Sequence, residues 1–151
     1  MNDNYVTCPN CHERISLNPI PLSEKITSAA KVAEMLVAYG FKETEEISAV
    51  LLNSRNMVLG IEMVAKGSIN VTGVHAREIF KEAIRKNVAA IILAHNHPSG
   101  DASPSVEDIV LTNKVVEAGN LLGIPVLDHI ILARGNYFSM REHATASFPK
   151  E

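Results

Sequence analysis

The most constraining feature of this sequence is an apolar run, residues 88–94 (VAAIILA), that continues without a break into His95-Asn96-His97. A short run with no charge predicts a strand that is buried on both faces, as in the parallel part of an α/β sheet. Side chains two positions apart on a strand point to the same side, so both imidazoles can reach one point. We therefore expect the two histidines to lie side by side at the end of a central strand.

A turn and a helix are predicted to follow this strand. Ser103 and Pro104 suit the N-cap and the first helical position, which places Asp108 in the first helical turn, close to the end of the strand. Two imidazoles and one carboxylate are a typical ligand set of a catalytic zinc ion, which leaves its fourth position to water. An alternative stays open, because Ser105 and Asp108 also fit the Ser-x-x-acid pattern that simply caps a helix.

The order of these residues resembles a known signature. His-x-His, seven further residues, Ser105, two more residues and Asp108 are the pattern of the JAMM (JAB1/MPN+) metalloproteases. The wording HNHPSGDASPSVED, with VHAREIFKEAI before it and EAGNLLGIPVLDHIIL after it, is similar to the RadC-type branch of that family. The resemblance covers about residues 27 to 142, which is most of the chain.

The resemblance implies a zinc metalloprotease that hydrolyses a peptide or isopeptide amide bond in a peptide or protein substrate. One Zn²⁺ per chain would be held by His95, His97 and Asp108, and Ser105 would donate a hydrogen bond to the oxyanion. The family also needs a glutamate on an upstream strand as general base, and by position before Gly67 that residue is Glu62.

The pattern around Glu62 leaves two interpretations open. Residues 57–65 are predicted to form a strand in which Glu62 shares a face with Val58, Gly60 and Val64. The other face carries only apolar residues, so both faces are largely apolar: Met57, Leu59, Ile61 and Met63. A carboxylate there lies either on the solvent side of an edge strand or in the interior for a functional reason. The resemblance favours the functional interpretation.

Two other functions are retained beside hydrolysis. One is a DNA-repair-associated accessory protein of the RadC type, and the other is a non-catalytic MPN module that binds a protein partner. The net charge of −3 and the absence of a basic stripe predict no direct binding of nucleic acid. Non-catalytic members of the family usually lack the metal ligands, and here all are present. A homodimer through an exposed sheet edge is a further expectation.

The periodicity of the chain predicts an α/β fold. We expect helices over residues 27–39, 76–86 and 105–122, and strands over residues 47–52, 57–65, 88–94, 124–133 and 137–140. The resemblance implies a JAB1/MPN-like mixed β-sheet flanked by α-helices, a layered architecture like that of cytidine deaminases. The predicted domain spans residues 23–142 and is followed by a C-terminal tail, residues 143–151. We expect His75 to be a helix-entry residue, and Asp128-His129 to be structural or to support the metal ligands.

The first 22 residues are predicted to be a separate segment and linker. Cys8 and Cys11 form a C-x-x-C knuckle, which is half of a zinc ribbon, and the chain has no other cysteine. Three interpretations are open: the knuckle is a remnant or tail, or a second metal site completed by His12 and either a distant ligand or a second subunit, or, with less support, a redox pair. Two cysteines, no signal-peptide pattern and no membrane-spanning apolar run predict a cytoplasmic protein without a disulfide framework.

Overall fold

A computed structural model describes residues 5–8, 12, 14–16, 23–67 and 73–149. In chain order, the elements are β1 (Tyr5–Thr7), β2 (Arg14–Ser16), α1 (Ala29–Met35), a 3₁₀ helix (Val37–Phe41), β3 (Glu46–Leu52), β4 (Val58–Lys66), α2 (Ala76–Arg85), β5 (Ala90–Asn96), α3 (Val106–Leu122), β6 (Val126–Ala133) and β7 (Asn136–Ser139). The predicted mixed α/β fold is confirmed, and it is consistent with a JAB/MPN-like architecture.

The main sheet has five strands in the order β4-β3-β5-β6-β7. Strand β5 lies at its centre, antiparallel to β3 and parallel to β6, while β3/β4 and β6/β7 are antiparallel pairs. Every residue of β5 is buried, as its unbroken apolar run predicts. The end of β5, where the histidines stand, is therefore held from both sides by backbone hydrogen bonds.

Two hydrophobic cores lie on the two faces of this sheet. Helices α2 and α3 cover one face, where Phe80 and Val115 pack with Leu93 of the central strand. Helix α1 covers the other face, where Leu36 packs with Ile92 and with residues of β6. Burial of these side chains on both faces supplies the main stabilisation of the sheet, at about 25 cal/mol for each Å² of apolar surface removed from water.

The first helix is shorter than its sequence predicts. It begins after the N-cap Ser28, whose side chain accepts a hydrogen bond from Lys31 N, and it ends at Met35. The chain then tightens into the 3₁₀ helix, so Gly40 lies inside that helix and does not end α1. Gly40 packs against the backbone of β6 and its carbonyl accepts a hydrogen bond from Arg134 N at 2.9 Å. This tertiary contact overrides the local helical pattern.

The two ends of the chain also make ordered contacts in the described residues. Strands β1 and β2 pair antiparallel, and Cys8, which follows β1, is buried. Cys11 lies outside the described residues, so the proposed C-x-x-C site stays a prediction. In the predicted C-terminal tail, Phe148 packs against the core that α2 and α3 cover. Among the helices that the structure describes, none is long and apolar enough to cross a membrane.

Candidate metal centre

The end of β5 brings two imidazoles together. His95 Nε2 and His97 Nε2 lie 2.8 Å apart, with His95 fully buried and 15% of the His97 side chain exposed. His97 N also donates to Leu132 O at 2.9 Å, which extends the pairing with β6 as far as the second histidine. The predicted placement of both histidines at one point is therefore what the structure shows.

The orientation of the His97 ring is set by a backbone carbonyl. His97 Nδ1 lies 2.8 Å from Asp101 O, in the turn that follows β5. A carbonyl oxygen can only accept a hydrogen bond, so Nδ1 carries a proton and donates it. In the neutral ring, the lone pair of Nε2 then faces His95, which is the state that a metal ligand requires.

Asp108 reaches the same point from the first turn of α3. Its Oδ1 lies 3.3 Å from His95 Nε2, and its Oδ2 lies 3.3 Å from His97 Nε2. The helix is capped by Ser105, and not by Ser103 as the sequence suggested: Asp108 N donates to Ser105 Oγ and Ser105 N donates to Asp108 Oδ2. The capping box displaces the predicted cap because it satisfies two backbone donors reciprocally. The Asp108 carboxylate therefore caps helix α3 and approaches both histidines at the same time.

The charge of this carboxylate is fixed by its neighbours. Burial alone would raise the pKa of Asp108. Hydrogen bonding with His95 and His97, the positive charge of a protonated His95 and the hydrogen bond from Ser105 N outweigh burial and hold this pKa well below its usual range. The same hydrogen bond between His97 and Asp108 raises the pKa of His97. Asp108 is therefore an anion facing two imidazoles.

A second carboxylate, which the sequence analysis missed, lies on the open side of this cluster. Glu45 Oε1 is 3.9 Å from the Nε2 atoms of both His95 and His97, and 27% of the Glu45 side chain is exposed. Glu45, His95 and His97 form a group that could hold a metal ion, with ligand atoms within 4.8 Å of one another. A signal was available in the sequence, because the acidic pair Glu45-Glu46 stands directly before the predicted strand 47–52.

Glu62, the predicted general base, lies elsewhere. It stands on the edge strand β4 and pairs with Ala49, which in turn pairs with Leu93, two residues before His95. That register separates it from the histidine by about 10 Å across the sheet and about 7 Å along the strands. Its carboxylate forms an ion pair with Lys86, and 34% of its side chain is exposed. The structure does not bring Glu62 to the histidines, and the solvent-side interpretation of the pattern fits instead.

The prediction for Glu62 depends on which strand adjoins β5. The resemblance implies a glutamate on an upstream strand, and the position before Gly67 indicates Glu62, which lies on β4. Strand β3, and not β4, is the neighbour of β5, because the β3–β4 hairpin places β4 at the sheet edge. Ile47 of β3 pairs directly with His95, so only the start of β3 adjoins the two imidazoles.

Asn96 ties the segment that carries Glu45 to the histidine strand. It stands between the two histidines, points to the opposite side and is 1% exposed. Its Oδ1 accepts a hydrogen bond from Glu46 N at 2.8 Å, and its Nδ2 donates to Thr44 O at 3.0 Å and to Lys42 O at 3.3 Å. One buried amide side chain therefore fixes the backbone on both sides of Glu45.

Two further polar residues lie behind His95. His129 is fully buried, and its ring nitrogens lie 2.7 Å from His95 Nδ1 and 2.6 Å from Thr112 Oγ1. Burial lowers the pKa of His129 well below its usual value. Asp128, its neighbour, accepts hydrogen bonds from His129 N, Ser139 Oγ and Arg141 N. His75 is the exposed N-cap residue of α2.

The donor set fits a tetrahedral divalent cation such as zinc. Two ligands bound to one tetrahedral zinc ion at about 2.1 Å lie about 3.4 Å apart. The two imidazole–carboxylate separations, 3.3 Å to Oδ1 and to Oδ2, agree with this value, whereas the two Nε2 atoms are closer together, at 2.8 Å, and would move apart around an ion. The donor types, two imidazole nitrogens with a carboxylate from Asp108 or Glu45, are ones that zinc accepts.

Comparison with known proteins assigns the family. Residues 26–145, about four fifths of the chain, match the family model described as a RadC-like JAB domain. The chain belongs to the RadC-like JAB domain family. The histidines, Ser105 and Asp108 all fall within the matched residues.

Curated relatives support this assignment. The chain is 46% identical over 132 residues to a UPF0758 protein of Alkaliphilus oremlandii, covering 87% of this chain and 57% of the relative. It is 49% identical over 119 residues to a UPF0758 protein of Clostridium beijerinckii, covering 78% and 52%. A UPF0758 protein of Moorella thermoacetica is 53% identical over 102 residues, covering 68% and 44%. The chain thus spans about half the length of the curated relatives it matches.

The role of Asn96 predicts a measurable loss of stability. Asn96→Ala removes three hydrogen bonds and leaves Glu46 N–H without its acceptor, so we expect a loss of about 2–3 kcal/mol in the free energy of unfolding. Chemical denaturation followed by circular dichroism measures it. Asn136→Ala, at an exposed position of edge strand β7, is the control and should change the free energy by less than about 0.5 kcal/mol. Equal effects of the two variants would contradict the anchoring role.

Proposed function

We propose that this chain is a zinc-dependent metallopeptidase that hydrolyses a peptide or isopeptide amide bond. The observation that supports it best is the convergence of His95 Nε2, His97 Nε2 and the Asp108 carboxylate, with the Glu45 carboxylate 3.9 Å beyond the imidazoles. Three ligands and a nearby unbound carboxylate are what metal-assisted hydrolysis of an amide requires.

Glu45 replaces Glu62 as the proposed general base. A bound zinc ion would lower the pKa of a water molecule to about 7 and polarise the scissile carbonyl. Glu45 is placed to accept the proton of the attacking water and to return it to the leaving amine. Asp108 is the better candidate for the third ligand, because it is closer to both imidazoles and is held by Ser105 N–H.

Ser105 keeps its proposed role beside the oxyanion. Its Oγ accepts a hydrogen bond from Asp108 N, which uses an oxygen lone pair and leaves the hydroxyl proton available. Such a proton can be donated to the oxygen that gains charge when the amide carbonyl is attacked. The helix N-terminus at the same place adds partial positive charge, which favours that oxyanion.

The other expectations are kept as parts of this proposal. The substrate is a peptide or a protein, the location is cytoplasmic, and a homodimer through a sheet edge stays a prediction. A non-catalytic MPN module would not need Glu45 beside two imidazoles, so the cluster favours hydrolysis. No contact in the described residues specifically supports a DNA-repair-associated role.

The metal content of the purified protein follows from the proposed ligand set. Wild-type protein should purify with, or take up, one zinc ion per chain, and His97→Ala and Asp108→Ala should lose it because each removes one of three ligands. Mass spectrometry of metals in fresh protein measures the stoichiometry. The Cys8→Ala/Cys11→Ala double variant is the control and should keep one zinc. A second zinc that is lost with the cysteines would establish a separate N-terminal site, and no zinc in the wild type would overturn the proposed function.

Substitution of Glu45 and of Glu62 tests which of the two carboxylates is the general base. Zinc-loaded protein is incubated with a proteome-derived peptide library in ¹⁸O-labelled water, and new carboxyl termini are identified by mass spectrometry. Glu45→Gln should keep zinc and lower the cleavage rate by about 10²–10⁴-fold, because it removes the proton acceptor. Glu62→Gln, which alters only a surface ion pair, should cleave at the wild-type rate.

Either of two results would count against these assignments. Full activity of Glu45→Gln together with loss in Glu62→Gln would mean that the base is Glu62 after all. Absence of any labelled terminus with zinc-loaded wild type, in both the peptide library and a mixture of isopeptide-linked peptides, would reject the hydrolase and favour the binding module.

A further inference from the structure

A buried row of polar groups runs from the helix that carries Asp108 to the far side of His95. Thr112 Oγ1 donates to Asp108 O at 2.6 Å, His129 Nδ1 lies 2.6 Å from Thr112 Oγ1, and His129 Nε2 lies 2.7 Å from His95 Nδ1. Thr112 and His129 are both 0% exposed. The row therefore joins two of the proposed metal ligands through the protein interior.

An irregularity in β6 directs His129 into this row. Ile91 pairs with Val126 and Leu93 pairs with His129, so β6 uses three residues where β5 uses two. The extra residue shifts the alternation and turns the His129 side chain to the face on which His95 lies. Asp128 stabilises the irregular segment by accepting the backbone N–H of His129 at 2.7 Å.

The direction of each hydrogen bond in the row follows from its first acceptor. Asp108 O can only accept, so Thr112 uses its single hydroxyl proton there, as threonine in a helix commonly does with the carbonyl four residues earlier. Thr112 Oγ1 is then an acceptor for His129 Nδ1–H. A neutral imidazole has one donor and one acceptor, so His129 Nε2 must accept a proton, and its only partner in the row is His95 Nδ1–H.

We propose that His129 and Thr112 are positioning residues that hold His95 in the tautomer with Nδ1 protonated and Nε2 open to the metal. This inference rests on the proposed function for its purpose, but the tautomer itself is a property of the metal-free protein. His97 is oriented in a comparable way, because its Nδ1 also donates a hydrogen bond away from the metal site, to the Asp101 carbonyl. A site prepared in this way does not have to rearrange protons in its interior when the ion enters.

If every hydrogen bond in the row had its donor and acceptor exchanged, different ring nitrogens would be protonated, and this difference can be observed. If Thr112 donated to His129 Nδ1, then His129 Nε2–H would donate to His95 Nδ1, and His95 Nε2 would carry a proton towards Asp108. An ion could then bind only after the whole row had reversed. The protonation of the His129 ring nitrogens therefore distinguishes the two cases.

NMR spectroscopy measures the protonation of the imidazole ring nitrogens directly. Long-range ¹H–¹⁵N correlation spectra of uniformly ¹⁵N-labelled, metal-free protein at pH 8 distinguish protonated from unprotonated imidazole nitrogens, and the His95→Ala and His129→Gln variants assign the signals. We expect Nδ1 protonated and Nε2 unprotonated in His129. Protonation of His129 at Nε2, or an equal mixture of tautomers, would overturn the proposal.

The second measurement compares the zinc affinities of variants and wild type, each determined by competition with a chromophoric chelator. His129→Phe removes the acceptor of His95 Nδ1–H and should weaken zinc binding by about 10–100-fold. His129→Gln retains an acceptor oxygen at the place of Nε2, so it should recover most of the zinc affinity that His129→Phe loses. Thr112→Val has the shape of threonine without its hydroxyl and should weaken binding by up to about tenfold, whereas Thr112→Ser should bind like the wild type.

These readouts separate the inference from the proposed function. Thermal unfolding identifies any variant that does not fold, and the nearly isosteric Thr112→Val then carries the affinity comparison. Wild-type affinity in both His129→Phe and Thr112→Val would reject the positioning role even if the protein hydrolyses peptides. Failure of all peptide cleavage, with the expected tautomer and the expected order of affinities, would reject the hydrolase and leave the positioning role intact.

Discussion

The hydrogen bonds that hold β5 on both edges are the constraint on which the candidate site depends. The strand is paired antiparallel with β3 and parallel with β6, and its apolar side chains are buried on both faces of the sheet. Its last residues therefore have a fixed position, and the two histidines inherit it. The side chains that surround them, Glu45 from before β3, Asp108 from α3 and His129 from β6, come from the elements that pack directly against this strand.

Several residues around the two histidines also stabilise the fold. Asp108 closes the capping box of α3, Asn96 secures the segment that leads into β3, and Thr112 satisfies its hydroxyl on its own helix. Structural and functional interpretations of these residues are therefore not exclusive alternatives. The carboxylate that caps the helix is also the carboxylate that faces two imidazoles, because a helix N-terminus after a central strand points its first turn towards the end of that strand.

The sequence was sufficient for the parts that depend on local pattern. The apolar run predicted β5, the His-x-His spacing predicted that both imidazoles face one way, and the Ser-x-x-Asp pattern allowed the cap that α3 has. It was not sufficient where the answer depends on which strands are neighbours. The pattern of β4 does not show that this strand lies at the sheet edge, so it gives no reason to exclude Glu62 as the base. Glu45 precedes β3 and belongs to no periodic pattern, so periodicity does not identify it. His129 could not be placed by alternation, since the extra residue in β6 reverses the faces beyond it.

The most direct test of the central claim is a crystal structure of the zinc-soaked protein with anomalous data collected at the zinc absorption edge. We predict one anomalous peak at this site, at bonding distance of about 2.0–2.2 Å from His95 Nε2, His97 Nε2 and the Asp108 carboxylate. The Glu45 carboxylate should lie outside bonding distance, on the open side of the ion. A peak bonded to Glu45 in place of Asp108, or no peak between the two histidines, would contradict the account.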